Sequence, residues 1–530
     1  MARYPFVIIN IYNILIFLLA FAQTAAANNL SITSVTMGDR DPSAETVVIE
    51  FSLSWENSWK TKINHDAVWV TARLYDTSVS PTDKKLCDLA TAGLDPADTS
   101  TGSNSDIEIY VPADKKGAFI RPVNYGSAAT VTTTGMQLTV DYSSCGFASS
   151  DSVAVTVFGV EMVYVPEGAF YAGDYAGSTG ALVQGSSDDD PWYVEDESAI
   201  SVSNPVSDGF RYVSAGNASE NSTGSSFTVG AGFPKGHGAF YAMKYEITEG
   251  QWAEFYNSLG SDNARTARDL TNASHKNSDS VANRNTFSCS GSPVTCTTTR
   301  PYRAVGYLSW MDLAAFLDWA ALRPMTELEF EKMARGAVKP VAGEFAWGTA
   351  NITAAAAVSG SDEDGTETVS TSGANAHYDN TTLTGGDAGN GAGHTVGPLR
   401  AGIFATETSG REGSGAGYYG IMELSGNLWE RVVTIGNTDG RLFAGTHGDG
   451  YLSTQSGYEG NADEVDWPGV DAITARGVTG AAGSGFRGGS YSDQLSGARL
   501  RVSDRNDAAN STTAIYPNAG GRGVRTYDGS

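Results

Sequence analysis

Oxygen-bearing groups crowd one short stretch, "SGNLWERV", Ser425 to Val432. The carboxylate of Glu430 and the amide of Asn427 flank Trp429, and Gly426 precedes the asparagine. Such a run can start a helix, close a tight turn, or bring several oxygens to one point. Gathered oxygens suit calcium, which takes carboxylates, side-chain amides and backbone carbonyls as ligands.

A second set of chemically able residues lies downstream. Arg487, Arg499, Arg501, Arg505, Arg522 and Arg525 are conspicuous in a chain with 34 basic and 60 acidic residues. Arg499 and Arg501 alternate with Leu500 and Val502, which predicts a strand. Bidentate pairing with Asp and Glu would let these arginines clamp loops together. The other reading is a binding surface, made by Tyr491, Asp493, Arg499, Arg501 and Arg505 among loop residues rich in Tyr, Ser, Asp and Asn.

Other chemistries find little support. There is no Gly-x-Ser-x-Gly elbow and no phosphate-binding Gly-Lys loop. Six scattered histidines show no helix-face ligand spacing. The net charge of −26 argues against nucleic acid, which demands a basic face.

The elements that must position these groups read as follows. Residues 1–27 carry Arg3, an apolar run and a small-residue end, the pattern of a secretory signal peptide. No later stretch is apolar enough to span a bilayer. The expected mature protein is therefore secreted or held at the cell surface. Export favours pairing of the four cysteines, Cys289 with Cys296 and Cys87 with Cys145.

Residues 28–158 show period-two alternation at 46–55, 66–75, 135–142 and 152–160, which predicts an antiparallel β-sandwich. Residues 159–530 form the second domain. It begins with a strand-turn-strand signal at 161–174 and a polar insertion at about 175–232, read as a long loop. Capping boxes at Thr248/Gln251, Ser309/Asp312 and Thr326/Glu329 predict three helices with aromatic core stripes. Beyond 337 no helix is convincing. "SGSDEDGTETVS" and similar runs read as loops, and "DEDG" at 362–365 as a solvated one. The fold class is α+β.

Seven pieces in order resemble the formylglycine-generating enzyme, or sulfatase-modifying factor, family. They are "VYVPEGAFYAGD", "FYAMKYEITEGQWAEFYNSLG", "VGYLSWMDLAAFLDWAALRPMTELEFEKMARG", "FAWGT", "GYYGIMELSGNLWERV", "FRGGSYSD" and "GGRGVRT". The resemblance implies a variant of the C-type lectin fold over about 160–530. It also implies a calcium ion held by side-chain oxygens of Asn427 and Glu430 and the carbonyls of Ser425 and Leu428. A second site would fall near Asn375 and Ala376. The family's oxidase holds copper between two cysteines, and the matching positions here are Asp493 and Ala498. A carboxylate and a methyl cannot replace thiolates on soft Cu(I), so copper is not expected.

Three functions remain open at this point. One is an exported, non-catalytic, calcium-stabilised module that binds a protein or glycan or serves structurally at the cell surface. Another is a metal-dependent oxidase with a rearranged site. The third is self-assembly into a surface filament or layer.

Overall fold

A computed structural model describes residues 29–529 apart from 176–177, 186–189, 204–208, 361–366, 386–394, 407 and 495–497. The signal-peptide segment and "DEDG" lie outside the described residues. The alternation at 46–55 becomes the strand Thr46–Lys60, with Val47, Ile49, Phe51, Leu53 and Trp55 all buried. It is the centre of an antiparallel sheet with Ser31–Asp41 and Gly126–Asp141. Its apolar face meets Val68, Val70, Ala72, Leu74, Ile109 and Ile120 of a second sheet. Cys87–Cys145 links residues 58 apart within this core, as Cys289–Cys296 closes a two-strand ribbon further on. On chain-entropy grounds a loop of that length gives about 4 kcal/mol of stabilisation.

The second sheet is the larger. Its order is Arg323–Pro324, Gly523–Thr526, Phe240–Met243, Val153–Val165, Asp66–Asp76, Ala118–Pro122, Ile107–Val111 and Gly93–Leu94, with Lys85–Leu86 beside Asp66–Asp76. All of these pairings are antiparallel. Val153–Val165 pairs with Asp66–Asp76 on one edge and Phe240–Met243 on the other. The expected domain boundary at 158/159 falls inside this strand. The two parts of the chain therefore share a sheet. They also share a core: Trp69, Phe119 and Phe158 of the first part pack with Phe316 and Trp319 of the second.

The polar segment 175–232 is not a plain loop. Val183–Gln184, Asp190–Val194, Ile200–Val202, Phe210–Arg211 and Phe227–Val229 join Phe170–Ala172 in a six-stranded sheet. Trp192, Val194, Ile200, Val202, Tyr212 and Val229 are buried beneath it. Strands of two to five residues leave too little alternation to stand out from polar neighbours.

Helices form where the capping boxes stand. In chain order they are α1 Glu249–Ser258, the short α2 Asp262–Arg268, which has no capping box, α3 Trp310–Trp319 and α4 Glu327–Arg335. The loop-rich stretch beyond 337 also holds a one-turn helix, Arg411–Ser414. The predicted strand at Arg499–Val502 is corrected. These residues lie in turns, with Leu500 and Val502 buried and Arg499 pointing outward. Burial of alternate residues in a turn mimics a strand's pattern.

Helix α4 carries buried charge. Glu327 takes Arg505 at 2.6 Å and Arg487 at 3.0 Å, and accepts the Ile435 N–H at 2.9 Å. Glu331 takes Arg487 at 2.6 Å and Arg335 at 2.9 Å, and accepts the Gly173 N–H at 2.6 Å. Glu329 holds Arg323 in a two-point pair. Burial alone would push the carboxyls of Glu327 and Glu331 up. Arg505 and Arg487 beside them hold both below the ordinary value of 4.5 instead. Carboxyls lowered on folding stabilise the fold above that value, and the stabilisation is lost on acidification below it. Glu327→Gln removes the charge that Arg487 and Arg505 share. Breaking a buried pair from one side costs about 3–5 kcal/mol. Urea denaturation of the mature chain should show that loss, and a change below about 1 kcal/mol would mean that the network is dispensable.

Candidate functional site

"SGNLWERV" leads into a strand rather than a helix. Trp429–Val433 is the middle of a three-stranded sheet, antiparallel to Ser484–Arg487 and parallel to Ala519–Gly520. The approach is a tight turn. Gly426 and Asn427 both have positive φ, 97° and 62°. A Cβ at Gly426 would sit 2.6 Å from the His377 carbonyl oxygen, so only glycine fits there.

The side-chain oxygens of Ser425 and Asn427, and one of the two on Glu430, are engaged by the protein itself. Asn427 Oδ1 accepts the Leu399 N–H at 2.8 Å, and its Nδ2 donates to Glu246. The other Glu246 oxygen accepts the Leu428 N–H at 2.9 Å. Ser425 Oγ donates to the Leu500 carbonyl at 2.7 Å. Glu430 Oε1 takes Arg522 Nε at 2.7 Å. Two oxygens stay without a hydrogen bond although buried, Glu430 Oε2 and Glu423 Oε2. The other Glu423 oxygen accepts the Gly402 N–H at 2.7 Å.

Three buried glutamates, Glu246, Glu423 and Glu430, thus lie around Arg522. Burial pushes all three carboxyls up. For Glu246 the neighbouring Glu430 and Glu423 add to the rise, and Glu423 reaches about 7. A buried carboxylate without a countercharge prefers to be neutral. Either protons or a cation must offset this excess.

Asn375 and Ala376, just before His377 in the chain, are also buried. Asn375 Oδ1 accepts the Thr353 N–H at 2.9 Å, and the Ala376 carbonyl accepts the Ala355 N–H at 2.9 Å. Both act there as backbone braces.

The surface set divides. Asp493 Oδ2 accepts the Ser490 hydroxyl at 2.6 Å and the Ser490 N–H at 3.0 Å, while Oδ1 pairs with Arg499 at 3.2 Å. Ala498 turns the chain at φ 58°. Arg499 also edges a cleft of about 220 Å³ whose wall includes Trp429, Phe486, Tyr516, Asp507 and Asn518. Arg501 packs over Gly343. Arg505, Tyr491 and Asp493 are corrected out of the surface, all three being buried. Arg505 is fully buried on Glu327 and stacks on Tyr212, and Tyr491 is buried and stacks on His377. Both disulfides together take all four cysteines, so no free thiol remains.

Sequence reading missed Glu246, Glu423 and the cleft wall at Phe486, Tyr516 and Asn518. It also missed Asp318, Asp449 and Asp463, whose carboxylate oxygens lie within 4.8 Å of one another. The available signals were weak. "YEITEG" and "IMELSG" hold acids with no telling spacing, and Asp318 is separated from its neighbours by more than a hundred residues.

A sequence profile described as the sulfatase-modifying factor enzyme 1-like domain matches residues 213–527, more than half of the chain. No curated protein matches. Among solved structures, domains D2 and D3 of the major pilin SpaD from Corynebacterium diphtheriae align at 12% identity over 41% of this chain and 85% of that one. The TM-score is 0.12, too low for a shared fold.

The raised carboxyls set a pH dependence. Groups whose acid pKa rises on folding favour the folded state while protonated. Their contribution falls as pH climbs from the ordinary 4.5 to the folded value, about 7 for Glu423. In chelator, the melting temperature should drop between about pH 5 and pH 8. Glu423→Gln should flatten that drop, and an unchanged slope in this variant would place the effect elsewhere.

Proposed function

The chain belongs to the sulfatase-modifying factor enzyme 1-like family, and from that premise we propose that it is an exported, non-catalytic binding module. What supports this reading is the pair Asp493 and Ala498, which the resemblance sets at the positions of the family's copper thiolates. Asp493 closes a turn on Ser490 and pairs with Arg499, and all four cysteines are held in disulfides. The scaffold persists while its oxidising groups do not.

The cleft beside this turn is where a ligand would sit. Trp429, Phe486 and Tyr516 offer aromatic surface, and Arg499, Asp507 and Asn518 offer directed polar groups around it. Apolar walls with a few placed polar groups characterise ligand sites. A glycan or an exposed protein loop suits such a surface. Tyr516 is exposed, so substituting it should leave the fold intact. Binding to a glycan or peptide array should weaken at least about tenfold, roughly 1.4 kcal/mol, in the double variant Arg499→Ala/Tyr516→Ala. Oxygen consumption or cysteine oxidation in a sulfatase-derived peptide would overturn the non-catalytic reading.

Calcium belongs to the same proposal. The fit rests on Glu430 Oε2 and Glu423 Oε2, buried oxygens without a hydrogen bond in a cluster with excess negative charge. Hard oxygen donors of this kind suit calcium, which would offset the excess negative charge. With millimolar calcium at about pH 8 the melting temperature should rise, and Glu430→Gln should remove the rise. If the rise survives Glu430→Gln but disappears in Asp463→Asn, the ion is seated at Asp318, Asp449 and Asp463 instead. No calcium effect at all would leave protons as the neutralising charge.

A further inference from the structure

A groove of about 320 Å³ opens on the outer face of the six-stranded sheet. Its floor is a cross-strand pair of tyrosines. Tyr171 of Phe170–Ala172 stands opposite Tyr193 of Asp190–Val194, and their rings lie 4.8 Å apart, tilted by 43°. Both face outward, because Phe170, Ala172, Trp192 and Val194, which alternate with them, are buried. Tyr175 adds a third ring, and Gln184, Asp190 and Lys339 line the sides. Of these residues only Lys339 falls within 213–527, so the floor is built outside the residues that match the family.

The platform is firmly mounted. Trp192 Nε1 donates to the Val183 and Arg211 carbonyls at 3.0 and 3.1 Å, which pins the strands from beneath. Arg335, at the end of α4, donates to the Tyr171 carbonyl at 2.7 Å, and Asp174 accepts the Gly343 N–H at 3.2 Å. These two bonds hold the segment that carries Lys339 beside the tyrosines.

Its polar groups are left over from folding. The hydroxyls of Tyr171, Tyr175 and Tyr193, the carboxylate of Asp190 and the ammonium of Lys339 make no hydrogen bond or ion pair among the described residues. Gln184 Oε1 accepts the Tyr193 N–H at 3.2 Å, which lays its amide along the same edge. One carboxylate and one ammonium leave the groove without net charge. An occupant must therefore give donors to Asp190, give acceptors to Lys339 and cover the aromatic rings. A sugar does all three. Its C–H face covers the rings, and each of its hydroxyls both donates and accepts. A proline-rich segment also docks on exposed aromatic rings, but it offers carbonyls and almost no N–H groups. It would cover the Asp190 carboxylate without supplying a donor, which costs free energy.

From this arrangement we propose that the groove binds a neutral oligosaccharide. One sugar ring stacks on Tyr171 and Tyr193, and its hydroxyls are shared among Asp190, Gln184 and Lys339. The groove shares no residue with the cleft at Trp429, so it is a second site.

Calorimetry on the mature chain tests this, with cellohexaose, chitohexaose and maltohexaose as probes and a proline decamer as the competing class. At least one hexaose is expected to bind saturably at millimolar concentration or below, with an affinity that salt does not change. Tyr193→Ala should weaken that binding at least about tenfold. Tyr193 is 37% exposed, so the melting temperature should stay as in the parent chain. Lys339→Ala, in an exposed turn, should weaken binding about fivefold or more, and Tyr125→Ala, another exposed tyrosine, should not. Failure of all three hexaoses to bind overturns the proposal, as does binding of the proline decamer alone. Unchanged hexaose affinity in both Tyr193→Ala and Lys339→Ala also overturns it. So does binding that survives Tyr193→Ala but is lost in Arg499→Ala/Tyr516→Ala, because the sugar then sits in the cleft at Trp429.

Discussion

Carboxylate–guanidinium pairing inside the core is the constraint on which the family domain depends. Its C-terminal half has little regular structure, so its loops cannot be held by long hydrogen-bonded ladders. They are held to α4 instead. Glu327 and Glu331 reach Arg487 and Arg505, and through backbone N–H groups they also fix Gly173 and Ile435. A charge taken out of water must find its partner, which makes each pair intolerant of displacement. The geometry of the loops follows from where these pairs can form.

The same logic exposes places where the pairing is incomplete. Around Arg522, three glutamates outnumber the guanidinium and two oxygens lack hydrogen bonds. Behind Trp319, two nitrogens of Arg73 lack acceptors.

Much of the fold was legible in the sequence. The capping boxes at Thr248, Ser309 and Thr326 form as read, because a cap depends on residues three apart. The strand at 46–55 was legible because one face is buried along its whole length, and 66–75 because its run, buried on both faces over 66–74, is rich in apolar and β-branched residues. The sheet within 175–232 was not, since its strands are too short to carry a period. Arg499–Val502 misled for the converse reason: a turn happened to bury alternate residues. In the candidate site, Asn427 and Glu430 were found but their partners were not. Glu246 and Arg522 come from segments about 180 and 90 residues away, and no local spacing connects them.

The sequence by itself determined the local pieces: the caps, the period-two strands, the glycine turn before Trp429, the even set of cysteines and the absence of thiols at 493 and 498. These depend on neighbours along the chain. Only the tertiary structure decided that Arg505 is buried while Arg499 borders a cleft, that one strand serves both parts of the molecule, and that Glu430 meets Arg522. Burial and charge pairing are properties of groups brought together across long separations. The energy of a buried charge is set by what stands within a few ångströms of it, which the linear order does not specify.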